Sequence, residues 1–192
     1  MRPPMSAQIE DQPAGRLWVL VGGSGAGKDS LLRWVASAVR GDPRVRIAQR
    51  WITREPHPSE PHHGVDDEGF DALLARQAFA LHWQAHGTRY AIGREIDDWL
   101  ANGCDVLVNG SREHVPAILA RYPEARIVHV EVSPEVMQQR LAARGRESAS
   151  QIEHRRERHA RLAGSPSWEV LNNDGPLDQA GSTLLAWIQE AR

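Results

Sequence analysis

Leu17-Trp18-Val19-Leu20-Val21 runs directly into Gly22-Gly23-Ser24-Gly25-Ala26-Gly27-Lys28-Asp29-Ser30, and the reading of this stretch decides the fold. Five consecutive apolar residues suit a strand buried on both faces of a parallel sheet. Small residues at 22, 23, 25, 26 and 27 let the backbone turn tightly, so that successive N–H groups converge on a polyphosphate. Leu31, Leu32, Val35 and Val39 then recur at helical spacing, and the positive end of that helix adds to the attraction for an anion. Strand, glycine-rich loop and helix in this order make a phosphate-binding loop, G-x-x-x-x-G-K followed by aspartate where the common pattern has serine or threonine. A merely flexible glycine turn would leave the flanking strand and helix unexplained. Lys28 is also the only lysine in a chain with 23 Lys and Arg residues. Its ammonium is a compact point charge on a flexible stem, suited to following the loop to the terminal phosphates of a nucleotide where a planar guanidinium would be too bulky.

With 192 residues and 41% hydrophobic content, the chain has enough material for one compact α/β domain. Net charge is −2, so no global basic field drives nonspecific nucleic-acid binding, and phosphate recognition must be local. The single cysteine, Cys104, excludes an intramolecular disulfide, and no apolar stretch is long enough to span a membrane. A reducing cytoplasm fits this composition. Residues 1–15 are polar and proline-containing and read as a loose leader, with one domain over 16–192.

Apolar runs alternate with amphipathic stretches along the chain, which predicts a parallel sheet covered by helices. Strands are expected at Val45 to Ile52, Asp105 to Val108, Arg126 to Val132 and Trp168 to Leu171. Helices are expected at Glu68 to Ala75, Arg94 to Asn102, Arg112 to Arg121, Pro134 to Arg144, Ser148 to Leu162 and Leu177 to Gln189. Phe79 to Trp83 and Arg89 to Ile92 read as a hairpin around His86-Gly87, which breaks the alternation.

Thr53-Arg54 at the end of the second strand, the hairpin before Arg94 and the arginine-rich segment late in the chain together resemble the nucleoside-monophosphate kinases, in particular their guanylate-kinase-like branch. More narrowly, Asp105-Val-Leu-Val-Asn-Gly-Ser-Arg112, Arg144-Gly-Arg-Glu-Ser-Ala-Ser150 and Leu171-Asn-Asn-Asp-Gly175 resemble the ribose 1,5-bisphosphate phosphokinases of phosphonate catabolism. The resemblance implies a three-layer P-loop NTPase fold with a parallel sheet, an inserted acceptor-binding region at about 53–93 and an Arg-rich helical lid at about 144–164. It implies ATP and Mg²⁺, and transfer of the γ-phosphoryl group to the 1-phosphate of ribose 1,5-bisphosphate to give 5-phosphoribosyl 1-diphosphate.

Such an acceptor oxygen is already deprotonated near neutral pH, so the reaction needs no general base. Its obstacle is repulsion between two anions, and positioning plus cationic neutralisation must overcome it. Lys28 serves that end in the loop formed by Gly22, Gly23, Ser24, Gly25, Ala26, Gly27, Asp29 and Ser30. Within the lid, Arg144 and Arg155 are the first candidates for contact with the transferring group, followed by Arg146 and Arg158; a solvated helix face laced with Glu147, Glu153 and Glu157 is the bland alternative. Arg54 is expected to clamp an acceptor phosphate with paired hydrogen bonds. Trp83 and Tyr90 would wall the acceptor site or simply pack, and Ser111 and Arg112 would face its phosphates or cap a helix. Asn173 and Asp174 are placed at the adenine pocket by the resemblance, with a plain turn as the alternative.

Asp29 and Asn109 depart together from the wider family pattern, in which a loop hydroxyl and a strand-end acid support the metal. The acid is read as having moved to Asp29, which is therefore the expected Mg²⁺ ligand, directly or through water. An acid in the first turn of a helix is the alternative. His57 stands where guanylate kinases carry a second arginine, which counts against a GMP-specific enzyme. A catalytically silent interaction module of the same fold is opposed by the intact Gly27-Lys28. One cysteine and no second ligand pair at metal spacing argue against structural zinc.

Overall fold

The computed structural model describes residues 14–56, 61–85, 87–143 and 167–192, without the side chains of 141–143. The apolar run forms β1 (Leu17–Val21), buried along its whole length. Parallel partners flank it on both sides: β7 (Asp105–Asn109) and β8 (Arg126–Glu131), extended outward by β2 (Val45–Ile47) and β9 (Glu169–Asn172). The resulting order is β2-β7-β1-β8-β9.

Period-two alternation sorts the side chains of these strands onto two faces, each of which must be covered. Trp18, Leu20, Leu107, Val128 and Val130 meet α1 (Lys28–Ala38), α5 (Pro134–Ala143) and α6 (Leu177–Glu190) through Leu31, Val35, Met137, Leu184 and Ile188. Leu17, Val19, Val21, Val106 and Val108 face the other way, onto Ile96 of α3 (Glu95–Ala101) and Ile118 of α4 (Val115–Arg121). Each fully buried Leu or Ile contributes on the order of 1.5–3 kcal/mol. The three layers expected from the sequence are therefore present.

The expected strand from Val45 to Ile52 is two strands in two sheets. Its first half, β2, pairs with β7, and its second half, β3 (Arg50–Ile52), leaves that sheet for another. Ala48 makes the last bond to the parallel sheet, its N–H donating to the Leu107 carbonyl at 3.0 Å. The second sheet has the order β4-β3-β6-β5, built from the expected hairpin, β5 (Phe79–Ala85) and β6 (Thr88–Gly93), together with β3 and the two-residue β4 (His63–Gly64). Between β4 and β5 lies α2 (Asp67–Ala75), whose amino end is capped by the Asp66 carboxylate accepting from the Gly69 N–H. Arg112–His114 forms a 3₁₀ turn before α4 where one longer helix was expected. Pro116 accounts for the restart, since proline suits the first turn of a helix. The expected helix over 148–162 lies outside the described residues.

Candidate active site

Chain direction alone puts the loop after β1, Asn109 at the end of β7 and Asn173 just after β9 at the same carboxyl edge of the parallel sheet. Open α/β sheets bind ligands at this edge. The loop between β1 and α1 requires positive φ at Gly22 and Gly27, +148° and +91°. A Cβ at Gly22 would lie 2.5 Å from the Val130 carbonyl oxygen, and one at Gly27 would lie 2.5 Å from Asn173 Nδ2. Close approach from both sides thus adds to the conformational demand.

Lys28 opens α1 and folds its side chain back over the loop. Its Nζ donates to the carbonyls of Gly22 at 2.9 Å and Gly23 at 3.1 Å. Asn173 braces the same loop from the far side, donating from Nδ2 to the Ala26 carbonyl at 2.7 Å. Arg140 of α5, which was not among the expected site residues, donates from Nη2 to the Asn173 carbonyl at 2.8 Å. Its other terminal nitrogen, Nη1, is buried near Gly27 without a hydrogen-bond partner among the described residues. Asp174 accepts from the Ser133 N–H at 2.6 Å, a bond that lowers its carboxyl pKa below the ordinary value. Asn173 and Asp174 therefore have definite structural partners at the loop and at the start of α5.

Asp29 lies next to Lys28 and is the meeting point of three elements. Its Oδ1 accepts from Asn109 Nδ2 at 2.8 Å and from Arg50 Nη2 at 3.2 Å. Asn109 is buried, and its own Oδ1 accepts no hydrogen bond among the described residues. An orphaned acceptor beside a part-exposed carboxylate suits Mg²⁺, which takes one or two carboxylates and keeps several waters able to donate to such an oxygen.

The second sheet brings Trp83 and Tyr90 together and, through Arg50, links them to Asp29. Trp83 and Tyr90 are cross-strand partners on β5 and β6 and stack with ring centroids 5.5 Å apart. Trp83 also stacks on His114 at 5.4 Å, which joins the hairpin to the turn that carries Ser111 and Arg112. Burial and then the neighbouring His82 lower the His114 pKa, so its ring is neutral at physiological pH. Burial also depresses Arg112 below the usual arginine value, leaving a partly desolvated cation. On Tyr90 the guanidinium carbon of Arg50 lies 5.8 Å from the ring centroid. Trp83 and Tyr90 accordingly both pack and sit in the group that joins hairpin to loop.

Arg54 lies two residues beyond Ile52, exposed, with its carbonyl 3.0 Å from His62 Nε2. Arg144, Arg155, Arg146 and Arg158 lie outside the described residues, as do His57 and His86. Sequence reasoning missed Arg50, although one signal was available: it shares the alternating face of Ile52, where a charge needs a partner.

Residues 14–191 match the family profile described as guanylate kinase. Ribose 1,5-bisphosphate phosphokinase PhnN of Thiobacillus denitrificans is 48% identical over 181 residues, which cover 92% of this chain and 94% of that protein. The protein of the same name from Azotobacter vinelandii is 48% identical over 178 residues, covering 92% and 97%. Among solved structures, the guanylate kinase of Anaplasma phagocytophilum superposes with a TM-score of 0.68 over 94% of this chain and 87% of that one. At 15% identity that likeness speaks for the fold alone.

Proposed function

Because the chain belongs to the guanylate kinase family, and within it to the ribose 1,5-bisphosphate phosphokinases, we propose that it transfers the γ-phosphoryl group of ATP to the 1-phosphate of ribose 1,5-bisphosphate, yielding 5-phosphoribosyl 1-diphosphate and ADP. The observation that carries this reading is the likeness to proteins of that name along almost the whole chain.

The site chemistry is consistent with it. Lys28 and the loop N–H groups offer positive charge to the triphosphate, and the buried Nη1 of Arg140 adds a donor beside Gly27. Arg54 and Arg112 are assigned to the acceptor phosphates, and Arg144, Arg155, Arg146 and Arg158 to the transferring group. An anionic acceptor oxygen attacks without losing a proton, and the neutral His114 stacked in this wall is placed for packing. Mg²⁺ would be held by Asp29, with Asn109 receiving a hydrogen bond from one of its waters, and would spread the charge of the phosphoryl oxygens. Asn173 is assigned to bracing the loop.

An ADP-release assay with ATP and Mg²⁺ tests the proposal by comparing ribose 1,5-bisphosphate with GMP. Turnover of the sugar bisphosphate is expected, while turnover of GMP alone would replace the assignment with a nucleotide kinase. Turnover of neither would favour a silent binding module. Asp29→Asn should raise the Mg²⁺ concentration for half-maximal turnover by about tenfold, in line with the replacement of an anionic oxygen by a neutral amide oxygen. An unchanged Mg²⁺ dependence would remove Asp29 from the metal site.

A further inference from the structure

Arg50 begins β3 and pairs with Ile92 across β6, so it lies on the same face as Ile52, Tyr90 and Ile92. Ile52 and Ile92 are fully buried there, and Ile92 packs with Val106 and Val108 of the parallel sheet. A guanidinium at the margin of such a face must find a counter-charge. Asp29 supplies it at 3.2 Å, and the Arg50 side chain is only 11% exposed. Asp29 in turn puts negative charge directly after Lys28, within a loop whose task is to hold an anion. Left uncompensated, that charge would oppose the triphosphate.

We infer that Arg50 is a positioning residue that neutralises Asp29 before a cation arrives and fixes the orientation of its carboxylate. Oδ1 is held between Arg50 and Asn109, and Oδ2 accepts no hydrogen bond among the described residues. One oxygen is thereby anchored, and the part-exposed side chain leaves the carboxylate accessible to a cation. The contact of Arg50 with Tyr90 extends the same anchor to the hairpin, so the ion pair with Asp29 is shared between the loop and the hairpin. The inference rests on the reading of the glycine-rich loop as the ATP site, and does not depend on which acceptor is used.

Binding of ATP measured calorimetrically, in EDTA and again with Mg²⁺, separates this role from simple packing. Arg50→Met should weaken metal-free binding at least about fivefold, the scale expected for one unscreened charge several ångströms from the phosphates. Removing the exposed charge as well, in the Asp29→Asn, Arg50→Met double variant, should restore metal-free binding to within about twofold of wild type. Arg50→Lys, which keeps the charge, should stay within the same range. If Arg50→Met does not fold, the double variant and Arg50→Lys carry the test, and weak metal-free binding by either overturns the inference. So does a folded Arg50→Met that binds like wild type. Wild-type protein that binds ATP only with Mg²⁺ would also overturn it, whereas no binding under either condition would overturn the functional reading too.

Discussion

The Lys28 ammonium makes two bonds to loop carbonyls, at Gly22 and Gly23, from the end of an unbranched stem. A guanidinium could reach the same carbonyls only by turning a planar fork, wider than an ammonium, into a loop narrowed by Val130 and Asn173. Lys28→Arg should therefore lower turnover at least about a hundredfold, roughly 2.7 kcal/mol of transition-state stabilisation. Because Lys28 is not a core residue, melting temperature should remain within a few degrees of wild type. Near-normal turnover would contradict the assigned role of this lysine. Lys28 and its loop were legible in the sequence because the information is local: strand, glycines, lysine and helix follow one another. Arg50 was not, since its partner lies 21 positions away and the pair forms only because the chain changes sheets at Ala48-Gln49. Nor could the sequence show that Asn109 and Arg50 converge on the same oxygen of Asp29, which requires the end of β7 beside the start of α1.

Among the secondary-structure elements, legibility follows the environment of each strand. β1, β7 and β8 are covered on both faces and stand out as apolar runs. The two residues of β4 carry no such pattern, and the division between β2 and β3 has no glycine or proline to mark it. Beyond β9, Asn173 connects an edge strand to the phosphate loop. Its N–H donates to the Glu131 carbonyl at 2.8 Å, its carbonyl accepts from Arg140, and its side chain reaches Ala26. A turn-forming residue was an available reading of the sequence, but the bond to Ala26 spans 147 positions and belongs to tertiary structure. Asn173→Ala would remove the donor from a buried carbonyl and leave a void against Gly27. The variant should lose about 1–3 kcal/mol of stability in chemical denaturation and weaken ATP binding about tenfold. Full ATP affinity in a destabilised variant would show that Asn173 supports the fold without shaping the loop.

Across the whole molecule, the parallel sheet separates a stabilising edge from a chemical one. The loop, Asn109 and Asn173 occupy the carboxyl ends of the strands, whereas Asp105 opens β7 at the other end. The buried carboxylate of Asp105 accepts from the Arg16 N–H at 3.2 Å and from Arg192 Nε at 2.8 Å, and Arg16 Nη1 donates to the Ala191 carbonyl. Segments 175 positions apart are thus joined beneath the sheet. Replacing this acceptor by Asp105→Asn leaves Arg192, itself 24% exposed, without its main counter-charge. The expected cost is roughly 2–3 kcal/mol in denaturant unfolding, below the full value for a deeply buried pair because water still reaches the arginine. Four residue steps along β7 separate Asp105 from Asn109, about 13 Å at strand spacing. Turnover at a temperature well below melting should therefore stay within about twofold of wild type. A large loss of turnover without a loss of stability would mean that the two edges are coupled through β7, and the separation of roles along the sheet would have to be abandoned.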